Sequence, residues 1–189
     1  MDGEFKGTVW LVHTSTERKP GHPPKPWFRY WLDPLHPMTF VCADGTFLRC
    51  ANTGTTDFGS VPPEFQSLVG PLDCAKAYIF HDSAFTNHGH WESYDRGATW
   101  VFVPMSMRQV NDNLFMMARA EGVDWLESQE MHVAVDAGGG PLWAGHLGPF
   151  PVDPPPVTTA QYLFDSVDFA DLYNSPTFPP TLFIKGVAS

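Results

Sequence analysis

The first fifty residues consist of β-forming runs separated by turn-forming residues, a pattern typical of an antiparallel sheet. Aliphatic and aromatic residues dominate positions 5–12 and 27–32, and both segments predict strands. The proline-rich residues 17–26 predict a loop between them, since proline lacks the backbone donor that a helix interior or a central strand needs. A hairpin is predicted next, because Asp44-Gly45 lies between the β-rich runs 38–42 and 46–50.

The pattern then changes to a loop followed by a helical repeat. Glycines and a pair of prolines make residues 53–65 a predicted loop. Pro71 and Asp73 suit the first turn of a helix that runs through Phe85. Residues 86–104, rich in aromatic and histidine side chains, are expected to form a loop after this helix.

Two further helices are predicted. Ser106 suits the N-cap of a helix that runs to about Ala120 and ends at Gly122. Its apolar stripe comprises Val110, Leu114, Met117 and Ala118. A third helix is predicted over residues 125–135, ended by the glycines at 138–140. The expected fold class is therefore α+β, with an N-terminal antiparallel sheet followed by two or three packed helices.

The end of the chain has a different composition and predicts an extended arm. Eight of the nineteen prolines lie between residues 149 and 180, around the acidic and aromatic sequence AQYLFDSVDFADLYN. Such a segment is too apolar for a simple flexible linker. We expect residues 1–145 to form the α+β domain and residues 146–189 to form a proline-rich arm. This arm is expected to pack on a neighbouring surface, of its own chain or of another.

Charge and composition exclude several classes of protein. The net charge of −10 disfavours nucleic-acid binding, because no basic face is available to neutralise phosphates. No run of about 18 apolar residues predicts a membrane span. The acidic start MDGEFKGTVWLV has only a short apolar run, so we expect no signal peptide and synthesis in the cytoplasm. The three cysteines form no CxxC pair, which disfavours a zinc finger or a disulfide framework.

His81 and Asp82 are the main candidate site. On a helix, His81 shares a face with apolar residues and should point into the protein. Asp82 lies about 100° further round, so the pair is not expected to form a hydrogen bond with each other. His81 then needs a partner from elsewhere, and Asp112 on the next helix is the predicted one. A buried His–Asp pair would raise the basicity of the free ring nitrogen. The alternative is a structural core histidine, whose ring only forms hydrogen bonds with a neighbouring carbonyl or carboxylate.

Two metal sites are also candidates. Asp57, with loop carbonyls, could hold a hard cation such as calcium, although an Asx-type turn explains the same residues. His88 and His90 form an H-x-H pair, which together with His81 would supply three nitrogens for a catalytic zinc. A calcium or zinc ion is therefore the candidate cofactor.

Three motifs in this order resemble an uncharacterised domain family of tailed bacteriophages and prophages. The motifs are T-D-x-x-S-V-P at Thr56, Asp57, Ser60, Val61 and Pro62; A-x-x-x-H-D ending at His81 and Asp82; and D-x-x-F then G-V at Asp112, Phe115, Gly122 and Val123. The resemblance covers roughly residues 1–145, apart from the insert 86–104. It implies a phage-encoded protein of the tail or baseplate, or one that acts in lysis or host entry.

The order of a loop, a His-Asp helix and a second helix with an aspartate is also similar to that of the secreted calcium-dependent phospholipases. This resemblance implies that His81 activates water and that Asp112 orients it. Asp82 and Asp57 would hold a calcium ion that polarises the ester.

The leading functional hypothesis is a virion-associated phage protein, structural or interacting, whose arm docks on another virion protein. The second hypothesis is a hydrolase of ester or cell-wall substrates that uses His81, Asp82 and Asp112. A zinc enzyme built on His81, His88 and His90 is the third.

Overall fold

The computed structural model describes residues 3–17, 25–33, 35–58, 74–145 and 181–185. Its strands are β1 Glu4–Lys6, β2 Thr8–Glu17, β3 Lys25–Leu32, β4 Thr39–Val41, β5 Phe47–Arg49, β6 Thr53–Thr56, β7 Gly89–Ser93, β8 Val101–Pro104 and β9 Thr181–Lys185. Its helices are α1 Ala75–Asn87, α2 Met107–Ala120 and α3 Trp125–Gly145. The predicted α+β class is confirmed: antiparallel strands come first and three helices follow.

The strands of the described residues form two antiparallel sheets. One sheet has the order β1-β4-β5-β7-β8, and the other has the order β6-β3-β2-β9. The predicted hairpin is confirmed, since β4 and β5 pair with Phe40 opposite Leu48. Asp44 accepts a hydrogen bond from the backbone of Thr46 at 2.9 Å in its turn, and Gly45 takes the φ of +87° that favours glycine.

The predicted first strand is two strands in different sheets. Gly7 separates β1 from β2, with φ of +78°. A Cβ atom at this position would lie 2.2 Å from the carbonyl oxygen of Pro37, so the chain can turn here only at glycine. The second predicted strand, 27–32, is confirmed within β3. Residues 18–24 of the predicted loop between them lie outside the described residues.

Two predicted loops contain strands. The segment 53–65 begins with β6, which pairs with β3, and residues 59–65 lie outside the described residues. The segment 86–104 contains β7 and β8, which extend the sheet beyond β5. Pairing with β5 buries His90 and Trp91, which are 2% and 1% exposed, and this burial outweighs the local turn-forming composition.

Pro71 and Asp73, predicted for the first turn of α1, lie outside the described residues, whereas α2 begins and ends at its predicted bounds. Ser106 caps α2 in a reciprocal capping box with Gln109, and the predicted apolar stripe of α2 is buried. The third helix does not end at residues 138–140 but continues to Gly145. Gly139 explains this, because a Cβ atom there would lie 3.3 Å from Met107 and 3.4 Å from Phe85. Gly139 lets α3 pack closely against Phe85 and Met107, and this packing outweighs its low helix propensity.

Buried apolar side chains from both sheets and all three helices form one core. Within it α1 contacts β6 and β7 on one side and α2 on the other, and α2 also contacts α3. Of the predicted arm, Thr181–Lys185 pairs with β2 of the same chain, whereas residues 146–180 and 186–189 lie outside the described residues. None of the described helices combines the length and apolar character needed to cross a membrane.

Candidate functional site

His81 lies on the buried side of α1, as its helical position predicts, and is 8% exposed. Its Nε2 atom lies 3.0 Å from Oδ1 of Asn111 on α2. Its Nδ1 atom lies 3.3 Å from Oδ1 of Asp82. The expectation that His81 and Asp82 do not form a hydrogen bond with each other was wrong. The two residues are about 100° apart on α1, but the Asp82 carboxylate lies close enough to Nδ1 to accept a hydrogen bond.

Asn111 fixes the hydrogen-bond pattern around His81. It is fully buried, and its Nδ2 atom donates to Oδ1 of Asp136 on α3 at 2.5 Å. Because a carboxylate only accepts, the amide nitrogen must face Asp136 and the amide oxygen must face His81. Both ring nitrogens of His81 therefore face oxygen acceptors. A ring nitrogen that carries a hydrogen can donate it to the oxygen that it faces, and both nitrogens face groups of the fold itself.

The structure does not bring Asp112 to His81. Asp112 lies one position further along α2, is 54% exposed, and its Oδ1 atom lies 2.9 Å from Nε2 of His132. Asn111 takes the predicted place because it shares the buried stripe with Leu114 and Ala118 at spacings of three and seven residues. Helical periodicity alone would have indicated Asn111. Asp112 was predicted instead because a carboxylate is a stronger partner for histidine than an amide is.

Asp82 joins the first two sequence motifs. Its Oδ2 atom accepts a hydrogen bond from the hydroxyl of Thr56 on β6 at 2.6 Å. The same hydroxyl accepts from the backbone of Phe58 at 3.0 Å. Asp57, between them, is 8% exposed, while Ser60 lies outside the described residues. The Thr-Asp loop and the His-Asp helix therefore meet through Thr56, whose role the sequence argument missed.

The three histidines of the predicted zinc site do not come together. His88 stacks on Trp143 with ring centroids 4.0 Å apart, and Nε2 of His90 lies 2.9 Å from Oε1 of Glu92. Within the described part of the chain, no group of three or more His, Cys, Asp or Glu side chains could hold a metal ion. Asp57 and Asp82, predicted to hold a calcium ion, are therefore not part of any such group among the described residues.

The polar chain continues from the core to the surface. Beyond Asn111, Oδ2 of Asp136 lies 4.0 Å from Nδ1 of His132, and His132 in turn contacts Asp112. The connected residues are Thr56, Asp82, His81, Asn111, Asp136, His132 and Asp112. They cross-link β6, α1, α2 and α3. Sequence reasoning missed Asp136 and His132, although H-x-x-x-D spacing places both on one face of a helix.

The surface end of this chain borders a groove between α2 and α3. The groove has a volume of about 740 Å³, and its walls combine apolar and polar side chains. Its principal side chains are Asp112, Phe115, Met116, Arg119, Trp125 and His132. Asp112, a predicted catalytic residue, thus lies in an open groove, but with His132 rather than His81.

Two of the three cysteines are poorly suited to act as nucleophiles. Burial raises the pKa of the Cys50 thiol to about 12. Burial, with the neighbouring carboxylates of Asp44 and Glu92, raises that of Cys42 to about 11. Both thiols are protonated at neutral pH, and the protonated thiol is a poor nucleophile.

Comparison with protein-family models, curated protein sequences and solved structures found no match to this chain. The resemblance to the phage domain family therefore stays a prediction that rests on the three sequence motifs.

Proposed function

We propose that this chain is a phage-encoded interaction protein, associated with the tail or baseplate of the virion, in which the His-Asp motif is architectural. One observation carries the proposal: both ring nitrogens of His81 face oxygen atoms inside the fold, Oδ1 of Asp82 at 3.3 Å and Oδ1 of Asn111 at 3.0 Å. A general base needs a nitrogen within reach of the proton that it removes. The buried polar chain instead fixes the relative positions of β6 and the three helices, which suits a rigid scaffold.

The surface of α3 supports an interaction role. Trp125, Leu126, Val133 and Leu142 are between 51% and 60% exposed along this one helix. Leu126 and Val133, seven residues apart, share one face of α3, and exposed apolar side chains that share a face are typical of protein–protein contacts. The partners are other virion proteins, and the arm that follows α3 in the sequence, with its acidic and aromatic residues 160–174, supplies the second half of the contact.

The experiment is to follow the chain in purified particles of the phage that encodes it. Particles are separated on a density gradient, and the chain is detected by immunoblot. We expect the wild type to co-sediment with particles, and the double variant Leu126→Asp/Val133→Asp to be lost from them at an unchanged Tm. Ala144→Asp, at another exposed position of α3, is the matched control. A wild-type chain that is absent from particles overturns the proposal.

A hydrolase is the second candidate, and the groove between α2 and α3 favours it. The Asp112 carboxylate would accept a hydrogen bond from Nε2 of His132 and so keep the ring hydrogen on that nitrogen. Nδ1 would then carry no hydrogen and could act as the base that activates water. Arg119, in the same groove, would stabilise the negative charge that develops on an ester oxygen. The test is hydrolysis of p-nitrophenyl butyrate by the wild type, His132→Gln and His81→Gln. Activity that His132→Gln abolishes would support this candidate, and equal rates for wild type and His132→Gln would exclude it.

A further inference from the structure

The outer face of the β6-β3-β2-β9 sheet carries an unusual set of side chains. The inward-facing residues of its two central strands are apolar and buried, namely Val9, Leu11, Phe28, Tyr30 and Leu32. Because side chains alternate along a strand, the residues between them face away from the core. Trp10, Trp27 and Trp31 are among these outward-facing residues, and all three are partly exposed.

The strand register places these tryptophans in one continuous row. Trp10 lies directly opposite Trp31 across the β2–β3 pair, at a distance at which neighbouring side chains touch. Trp27 precedes Trp31 by four residues on β3, or about 13 Å at the usual strand rise. Arg29 lies between them, and its guanidinium carbon is 5.4 Å from the centre of the Trp31 ring. The result is an aromatic strip with a cation at its middle.

Hydroxyl groups border this strip. Thr53 on β6 lies opposite Trp31, and Thr55 lies opposite Arg29; both threonines are exposed. Between the Trp10–Trp31 and Ser15–Trp27 pairs, none of the described outward-facing residues of β2, β3 and β6 is acidic. The strip therefore offers aromatic faces, neutral hydrogen-bonding groups and one guanidinium, in a protein whose net charge is −10.

We infer that this face binds a saccharide chain. A sugar ring presents an apolar C–H surface, which packs on the face of an indole, and polar hydroxyl edges, which hydrogen-bond to threonine and arginine. A β-sheet face with its bordering loops binds oligosaccharides or oligonucleotides in the OB-fold. The net charge of −10 separates these two ligands, because it repels a polyphosphate but not an uncharged glycan.

The inference goes beyond the proposed function, because the strip and the exposed side chains of α3 belong to different elements of the fold. A chain that never enters a particle could still bind the glycan, so the two proposals can fail separately. If both are right, the chain connects a virion component to a carbohydrate surface.

The test uses the full chain and defined glycans. Cellohexaose, chitohexaose, maltohexaose and soluble peptidoglycan fragments are titrated while tryptophan fluorescence and binding heat are recorded, with oligo-dT as the nucleic-acid probe. We expect saturable binding of at least one glycan, with an affinity at least tenfold lower in Trp31→Ala. Trp31→Tyr, which keeps an aromatic face, should restore most of it, and Arg29→Ala provides a second variant that leaves the aromatic row in place.

Trp100→Ala, at a partly exposed tryptophan just before β8 of the other sheet, is the matched control and should bind as the wild type does. The inference is overturned if none of the glycans binds, or if Trp31→Ala and Arg29→Ala bind as tightly as the wild type. It is also overturned if oligo-dT alone binds, with an affinity that falls steeply with salt, since the strip would then be a base-stacking surface.

Discussion

The Nε2 atom of His81 lies 3.0 Å from Oδ1 of Asn111, and this contact joins α1 to α2 inside the core. The amide of Asn111 continues the connection to Asp136 on α3, so one fully buried side chain links three helices. A buried polar chain of this kind stabilises a fold only while every member keeps its partner. Its residues therefore report on architecture more directly than on chemistry.

Replacing Asn111 by leucine should be strongly destabilising. The substitution keeps a similar side-chain volume but leaves His81 and Asp136 without their shared partner. We expect the free energy of unfolding to fall by about 2–3 kcal/mol, the usual cost of unsatisfied buried polar groups. Urea denaturation followed by circular dichroism measures it. Asp112→Asn, at the exposed neighbouring position, should cost less than about 1 kcal/mol. Equal losses in the two variants would contradict the assignment of Asn111 as the partner of His81.

Gly7 should tolerate alanine far less well than Gly45. Both residues have a positive φ, +78° and +87°, which costs a non-glycine residue about 1–2 kcal/mol. A Cβ atom at Gly7 would also lie 2.2 Å from the carbonyl oxygen of Pro37, whereas at Gly45 nothing lies within 4 Å. Gly7→Ala should therefore lower the Tm by clearly more than Gly45→Ala does. Similar Tm values for the two variants would mean that the turn between β1 and β2 can rearrange.

Glu121 should stabilise the start of α1 from a distance. Cys74, at the N-cap, makes no side-chain capping bond. The backbone N–H of Ala77 instead donates to Oε2 of Glu121 at 2.9 Å, and the ammonium of Lys76 lies 3.6 Å from Oε1. Glu121→Ala should cost about 1 kcal/mol, as loss of an N-cap does, while Glu121→Gln should keep the acceptor and lose less. Urea denaturation measures the free energy of unfolding of both variants. Equal decreases would mean that the negative charge of Glu121 matters, rather than its hydrogen bond to the start of α1.

The sequence predicted those features that depend on local chemistry. The turn at Asp44-Gly45 and the cap at Ser106 are set by the residues themselves, so the hairpin and the start of α2 lie where expected. The inward direction of His81 follows from helical periodicity alone. Each of these features needs no knowledge of which distant segment packs against it.

Features set by distant packing could not be predicted in this way. Gly54 makes β6 a poor strand candidate, but a Cβ atom there would lie 2.7 Å from the buried ring of Tyr30, so the strand needs glycine to pair with β3. Glycines 138–140 likewise suggest a helix end, although α3 uses Gly139 to approach Phe85. Asn111 and Asp112 are consecutive residues of α2 and point about 100° apart. Which of them meets His81 depends on how α2 packs against α1, and the local sequence does not determine this.

His90 should make the stability of the fold depend on pH. Burial lowers its pKa from the usual 6.5, although the hydrogen bond to Glu92 opposes the shift. The unfolded chain therefore binds a proton at a higher pH than the folded chain does. The contribution of neutral His90 to the free energy of unfolding is fully present above about pH 6.5. It is lost as the pH falls towards the lowered pKa of His90 in the folded chain. Unfolding free energies measured between pH 7.5 and about 5 should decrease in the wild type, and the decrease should be smaller in His90→Gln. His36→Gln, at an exposed histidine, controls for loss of a histidine in general. A wild-type slope that persists in His90→Gln would assign the pH dependence to another group.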